Sequence, residues 1–358
     1  MQITKTQIQS SATLQEILSQ PEIWRASLRE LQKNGSLETV LAESGSRTEW
    51  LFLGCGTSFY LAEAAAASWI HLTGQRARAL PASEPLLFPD LTLARSAGLQ
   101  AVIISRSGRT SEAIRAANLL SREFRVPTLG VTCASGSPLE EECDLTIQIS
   151  AADEKSMVMT RSFTSMLLAL QNLAGCKIAG KSFPDSLEAM AAHFSRQIRA
   201  LADRVEAFVD EHTFADYVFL GQGPFYGIAR EASLKVTEMT CSYSQVYHTL
   251  EFRHGPKAIV GPDTCLTFFL SANGIQAETE VLSEMKDLGG VTIAVCNHAS
   301  DAIRRSSDFV FELGLAAPEL VTLGPFVVPA QLLGFYAGIK KGLNPDHPRN
   351  LTRVVILD

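Results

Sequence analysis

Val102-Ile103-Ile104-Ser105-Arg106-Ser107-Gly108-Arg109-Thr110 sets the reading of the whole chain. Three apolar β-branched residues have the composition of a buried strand end. They run directly into hydroxyls, a cation and a glycine. Thr110 and Ser111 are placed to cap the next segment, Glu112 to Phe124, which has helical composition and an acid in its first turn. A strand, a turn rich in hydroxyls and backbone N–H groups, and a helix start make an anion site, and the ligand expected there is a phosphate monoester. An ordinary strand-to-helix connection would use the same residue types, so the rest of the chain has to decide.

Short apolar runs at Trp50–Leu53, Ala101–Ile104, Thr128–Val131 and Leu145–Ile149 alternate with helical stretches at Ser58–His71, Ser111–Phe124 and Pro138–Glu142. That alternation predicts a parallel sheet flanked by helices, an α/β architecture. A further helix is expected at Ser162–Leu173, followed by a polar connection around Gly180–Asp185. Upstream, Thr13–Ser19 and Pro21–Leu41 carry apolar residues at helical intervals.

The second half repeats the first. Leu51-Phe52-Leu53-Gly54-Cys55-Gly56 matches Val218-Phe219-Leu220-Gly221-Gln222-Gly223, and Val102–Gly108 matches Phe268–Gly274. Thr128–Val131 matches Thr292–Val295, and Asp144-Leu145 matches Asp308-Phe309, with the offset drifting only slightly along the chain. Such a long period excludes a solenoid and predicts two tandem lobes of one topology. Boundaries follow as a helical segment 1–44, a first lobe 45–190, a second lobe 191–345 and a tail 346–358. The second loop, Ser271-Ala272-Asn273-Gly274-Ile275-Gln276, lacks the cation and the threonine. One phosphate site is therefore expected, in the first lobe, beyond the carboxyl ends of its strands. Gly54-Cys55-Gly56-Thr57-Ser58 adds two more hydroxyls at a neighbouring strand end.

A second constellation lies between Arg230 and Lys257. Glu231, Lys235 and Glu238 fall on one helix face. The pattern fits a solvated salt-bridge stripe or a set of acid/base groups. Glu251-Phe252-Arg253-His254-Gly255-Pro256-Lys257 puts a histidine in a loop, because proline disfavours helix just before it. A loop histidine suits proton transfer near neutrality or simply faces solvent. A phosphate anchor together with a Glu, a Lys and a His suits proton movement beside a sugar carbonyl.

The chain has 358 residues, 46% hydrophobic and 19% charged, with a net charge of −7 and no Lys/Arg run. That balance argues against nucleic acid or an anionic membrane as partner. The N-terminus lacks the apolar core of a signal peptide. No apolar run is expected to reach membrane-spanning length, since Phe326–Ile339 is interrupted by Pro329, Gln331 and Gly334. A cytoplasmic protein is expected. The seven cysteines form no CxxC pair and read as small core residues; neither they nor the seven histidines have metal-ligand spacing, so no metal and no cofactor is expected.

Cys55-Gly56-Thr57-Ser58, Ser105–Thr110, the Glu231…Lys235…Glu238 helix, Phe252-Arg253-His254-Gly255-Pro256 and Pro348-Arg349-Asn350-Leu351 together resemble the sugar isomerase (SIS) domain family. Its branches include the isomerase half of the glutamine–fructose-6-phosphate amidotransferases, single-chain tagatose-6-phosphate ketose/aldose isomerases and SIS-type glucosamine-6-phosphate deaminases. The resemblance runs from about Leu14 to Asp358. It implies two lobes, each a five-stranded parallel sheet between helices. It implies aldose–ketose isomerisation, with or without deamination, of a 6-phosphorylated hexose or amino sugar.

The resemblance also implies roles for residues. Ser58, Ser105, Ser107 and Thr110 match phosphate ligands, and Thr57 with the Met157–Thr160 loop, Met159 included, would line the pocket. Glu238 stands at the position of the proton-moving base. His254 stands at the position of a ring-opening histidine that reaches the neighbouring subunit's site in a homodimer. Lys235 and Glu231 match positions near the sugar. Three departures stand out. No glutaminase part is covered, so glutamine is not the expected nitrogen source. Arg106 replaces a glutamine and adds a cation able to pair with phosphate. Arg353 replaces a Schiff-base lysine, and a guanidinium is no amine nucleophile. A non-catalytic sugar-phosphate sensor is the rival reading, and it leaves Glu238 and His254 without a task.

Overall fold

The computed structural model describes residues 8–93, 98–178 and 182–357. The expectations placed on residues 1–7, Gly180 and Asp358 lie outside the described residues. The chain divides into two compact units. The first comprises Gln20–Glu154, Arg161–Ala191 and the C-terminal segment from Thr352; the second comprises the N-terminus through Ser19, Lys155–Thr160 and Ala192–Leu351. The helices needed below are α1 (Ala12–Leu18), α2 (Thr57–Thr73), α3 (Ser111–Asn118), α4 (Arg161–Lys177), α5 (Pro224–Thr240), α6 (Ile275–Asp287) and α7 (Leu323–Lys340).

The first unit is built on β1 (Glu49–Gly54), β2 (Arg76–Pro81), β3 (Leu99–Ile104), β4 (Thr128–Thr132) and β5 (Leu145–Gln148), all parallel in the order β2-β1-β3-β4-β5. Both faces are covered, as a parallel sheet requires. Leu51, Leu53, Ala101 and Ile103 pack against Ala113, Ala116 and Ala117 of α3. Trp50, on the opposite face of the strand, packs against Trp69 of α2 with centroids 3.9 Å apart and ring planes tilted by 38°. The expected strands are all present. β2 is the fifth strand that the family resemblance implies and that no apolar run marks in the sequence. Its sequence, Arg76-Ala77-Arg78-Ala79-Leu80-Pro81, is half-exposed and pairs only with β1, and an edge strand tolerates charge and proline where a central strand does not. The polar connection expected to run to Asp185 gives way to helix at Ser182, which continues to Phe194. Pro184 falls in its first turn, where the missing N–H is harmless, and Phe183 is buried against Gly175.

The second unit repeats this plan with β6 (Asp216–Gly221), β7 (Ser244–His248), β8 (Thr264–Phe269), β9 (Val291–Cys296) and β10 (Phe309–Glu312) in the order β7-β6-β8-β9-β10. The match to the first unit extends to backbone angles. Gly56 has φ 54° and ψ −124°, and Gly223 has φ 53° and ψ −127°. Asp144 accepts from the Thr128 N–H at 2.7 Å and hydroxyl at 2.9 Å. Asp308 does the same for Thr292, at 2.8 and 3.2 Å. These repeats place the duplication in the fold itself.

One expectation about α7 is overturned. Glu319–Lys340 runs as 22 helical residues, long and apolar enough by composition to cross a membrane, despite Pro329, Gln331 and Gly334. Residues 320–338 of this stretch are all buried. Gly334 and Gly338 let it approach α5 closely: a Cβ at Gly338 would lie 2.4 Å from the Met239 carbonyl oxygen. Buried Gln331 donates to the Thr160 carbonyl at 3.5 Å.

Candidate active site

In the first unit the two hydroxyl-bearing loops leave neighbouring strands. β1 and β3 are paired with Leu53 opposite Ile103, and the chain winds outward from them in opposite directions, to β2 on one side and β4 on the other. Sites in open α/β sheets form at such a reversal. After β1, Gly56 adopts positive φ and turns the chain into α2, which starts with the buried pair Thr57 and Ser58. After β3 the loop is tightly clamped. The Ser105 N–H donates to Val131 at 3.0 Å, and the Arg106 carbonyl accepts from the Cys133 N–H at 2.9 Å and the Thr132 hydroxyl at 3.1 Å. Gly108 has φ 60°, and a Cβ there would sit 2.2 Å from Ser137 Oγ.

The side chains of this loop differ in their freedom. The Ser105 and Thr110 hydroxyls lie 3.1 Å apart, and Ser107 Oγ accepts from the Arg109 N–H at 3.2 Å. Thr110 is the N-cap residue of α3, yet its hydroxyl makes no capping bond, contrary to the expectation from sequence. It faces Ser105 instead. Ser111 Oγ accepts from the Leu357 N–H at 2.9 Å rather than capping the helix. Arg106 is buried, with its guanidinium 3.4 Å from the Glu154 carboxylate and donating to the Arg353 carbonyl at 3.1 Å. The Arg353 guanidinium is half-exposed and bonds Asp153 Oδ1 at 3.0 Å.

In the second unit, β6 ends at Gly221, and α5 carries Glu231, Lys235 and Glu238 on one face. A stripe in water would be a rim feature. Here Glu231 and Lys235 are 0% exposed and Glu238 is 17% exposed. Lys235 Nζ lies 2.6 Å from Glu238 and 3.4 Å from Glu231. Two carboxylates and one lysine are thus gathered on one helix face, largely away from solvent. The solvated reading of this stripe is excluded by burial.

His254 follows a short 3₁₀ turn, Glu251–Arg253, and is exposed. Its loop is held from both sides. Phe252 is buried, while Arg253 and Lys257 both bond Glu284, at 2.7 and 2.5 Å. The bonds from Lys257 and Arg253 lower the Glu284 pKa. Met159 is half-buried in the Lys155–Thr160 segment, which Glu16 of α1 anchors by accepting the Lys155 N–H at 2.6 Å.

Three residues were not singled out from sequence. Glu278, on α6, accepts from the Ser271 N–H at 2.6 Å and hydroxyl at 3.0 Å, and Glu319 accepts from the Ala272 N–H. Burial pushes the Glu278 carboxyl up to about 6. In the second lobe's copy of the loop, the Ser271 and Ala272 donors are thus occupied by carboxylates of the same unit. His248, at the end of β7, stacks on Tyr226 at 3.9 Å and meets Gln222 Oε1 at 3.1 Å. The duplication could have pointed to Glu278, which stands in the second lobe where Glu112 stands in the first; nothing in the sequence marks His248.

The cysteines are free thiols, and Cys241 alone is exposed among them, against the expectation that all are core residues. Burial raises Cys55 to about 11 and Cys143 to about 12. No cluster of possible metal ligands occurs among the described residues.

The profile described as SIS domain matches residues 46–174 and 189–337. The chain belongs to the SIS family. It is 25% identical over 346 residues to the isomerizing glutamine–fructose-6-phosphate aminotransferase of Methanothermobacter thermautotrophicus, covering 96% of this chain and 57% of that protein. The chain thus spans little more than half the length of that relative. Among solved structures, the glucosamine-6-phosphate deaminase of Thermotoga maritima is 27% identical with a TM-score of 0.77, covering 97% of this chain and 100% of that one. The tagatose-6-phosphate ketose/aldose isomerase of Escherichia coli shares the fold with a TM-score of 0.84 at 22% identity, covering 96% and 98%.

Proposed function

We propose that this SIS protein is a phosphosugar isomerase, with or without deamination, acting on a 6-phosphorylated hexose or 2-amino hexose. The observation that carries this reading is the burial of Lys235 between Glu231 and Glu238. Proton transfer beside a carbonyl makes use of such desolvated acid/base groups, and sugar-phosphate binding by itself does not require them. In this mechanism Ser58, Ser105, Ser107 and Thr110 hold the phosphate with their hydroxyls. Thr57 and Met159 line the sugar pocket. His254 gives and takes the ring protons during opening, from the neighbouring subunit of a homodimer. Glu238 removes the proton from C2 and returns it to C1 through an enediol or enediolamine. Lys235, with Glu231 beside it, offsets the charge that develops on the enediolate oxygen.

With arginine at position 353 the chain lacks an amine there, so the reaction proceeds without a Schiff base at that residue. Glutamine-dependent transfer is not part of the proposal. The deciding experiment is a panel of hexose 6-phosphates and their 2-amino analogues, scored for interconversion and for ammonia release. Turnover of at least one member is expected. Tight binding across the panel with no turnover would overturn the enzyme reading in favour of a sensor.

A further inference from the structure

Arg106 and Arg353 are the two positions at which this chain carries an arginine in place of the residue its family resemblance leads one to expect. In the structure they are parts of one ring of contacts. The Arg106 guanidinium meets the Glu154 carboxylate at 3.4 Å and donates to the Arg353 carbonyl at 3.1 Å. The Arg353 guanidinium donates to the Glu154 carbonyl and to Asp153 Oδ1 at 3.0 Å. Glu154 thus engages one arginine through its side chain and the other through its backbone. Its carboxylate is fully buried and also accepts from the N–H of Ser162 at 3.2 Å and from its hydroxyl.

The C-terminal segment runs from this ring along the first turn of α3. The Ser111 N–H donates to the Val355 carbonyl at 3.3 Å, the Leu357 N–H donates to Ser111 Oγ, and Arg115 reaches the Leu357 carbonyl at 3.4 Å. Apolar burial does not hold this segment, since Val355, Ile356 and Leu357 are 52%, 72% and 44% exposed. Polar contacts must therefore do so, and the buried pair is the least exposed to competition from water.

We propose that Arg106, Glu154 and Arg353 form a latch that fastens the C-terminal segment onto the anion loop, and that Arg106 is a positioning residue rather than a phosphate ligand. The planar guanidinium has donors on separate nitrogens and here spends them on Glu154 and the Arg353 carbonyl. The latched segment also takes the Ser111 N–H, the first amide of α3. Phosphate is left with the loop hydroxyls and backbone. The effect on sugar phosphate rests on the function proposed above; the latch itself does not.

The test uses the full chain with Arg106→Gln, Arg353→Ala and the double substitution, and two readouts that need no turnover. The first is hydrogen exchange at Val355–Leu357. The second is inorganic phosphate affinity by calorimetry. Each single substitution is expected to speed exchange at least tenfold, with the double no faster than either single. Phosphate affinity should change by less than about threefold in each, an allowance set by the modest worth of one indirect contact. Where activity is measurable, the KM for the sugar phosphate should rise equally in the single and double variants. Arg353→Ala, at a half-exposed site, keeps the test open if Arg106→Gln does not fold. Unchanged exchange in Arg353→Ala overturns the latch. Tenfold weaker phosphate binding in Arg106→Gln, with exchange unchanged, makes Arg106 a direct ligand instead. If no variant and not even the parent binds phosphate, the anion-site reading fails while the exchange result still decides the latch.

Discussion

Lys235 Nζ lies 2.6 Å from the Glu238 carboxylate, less than one turn apart on α5, with the ammonium fully buried and the carboxylate 17% exposed. The cation is locked in place while its acidic partner keeps an opening. In the mechanism proposed above, that asymmetry suits two different tasks: Lys235 as fixed charge and Glu238 as the group that exchanges protons.

Replacing Glu238 with Gln keeps shape and removes the base. Turnover should fall by a factor of about 100 to 10,000, the usual range for general base catalysis, while phosphate affinity measured by calorimetry stays within error. Full activity in this variant would remove Glu238 from the mechanism.

Replacing Lys235 with Met keeps the length of the side chain but leaves Glu231 buried without its cation. Breaking one side of a buried ion pair costs about 3–5 kcal/mol. A urea unfolding midpoint well below that of the parent is expected, and an unchanged midpoint would mean that the cluster is neutral or open to water.

Gly108 lies at φ 60°, and any Cβ there would meet Ser137 Oγ at 2.2 Å. Gly108→Ala should cost about 1–3 kcal/mol through overpacking and weaken inorganic phosphate binding at least tenfold by displacing the loop. The equivalent glycine of the second lobe, Gly274, has ordinary negative φ. Alanine there should leave phosphate binding unaffected, and calorimetry on both variants distinguishes the loops.

Glu278 titrates at about 6 rather than 4.5 because burial disfavours its charged form. Between those values the folded chain holds more protons than the unfolded chain, so stability falls as pH rises from about 4.5 to 6. The loss is about 2 kcal/mol, complete above the folded value. Glu278→Gln should abolish this part of the stability–pH curve, which denaturant titrations at pH 4.5 and 7 would reveal.

Much of the fold could be read along the chain. Residues 50–53, 101–104 and 128–131 are apolar on both faces because both faces are covered, and that leaves an unbroken hydrophobic run. The edge strands Arg76–Pro81 and Ser244–His248 gave no such signal, since half-exposed side chains impose little constraint on composition. The 22-residue helix ending at Lys340 escaped for a related reason. Interruptions such as Pro329 and Gln331 break a pattern in sequence, but inside a packed unit they are accommodated by neighbours such as the Thr160 carbonyl.

For the site, the sequence by itself determined spacing: which residues follow which strand, and that Glu231, Lys235 and Glu238 share a helix face. It also determined that the two loops differ, through the missing cation and threonine of the second copy. Only the tertiary structure decided burial and pairing. It placed the Lys235 cluster out of water, filled the second loop with Glu278, and turned Arg106 toward Glu154 and Arg353. The physical reason is the same in each case. Helical and strand periodicity are local and repeat within a few residues, whereas desolvation and ion pairing are set by groups far apart in the chain, such as positions 106 and 353, that meet only once the chain has folded.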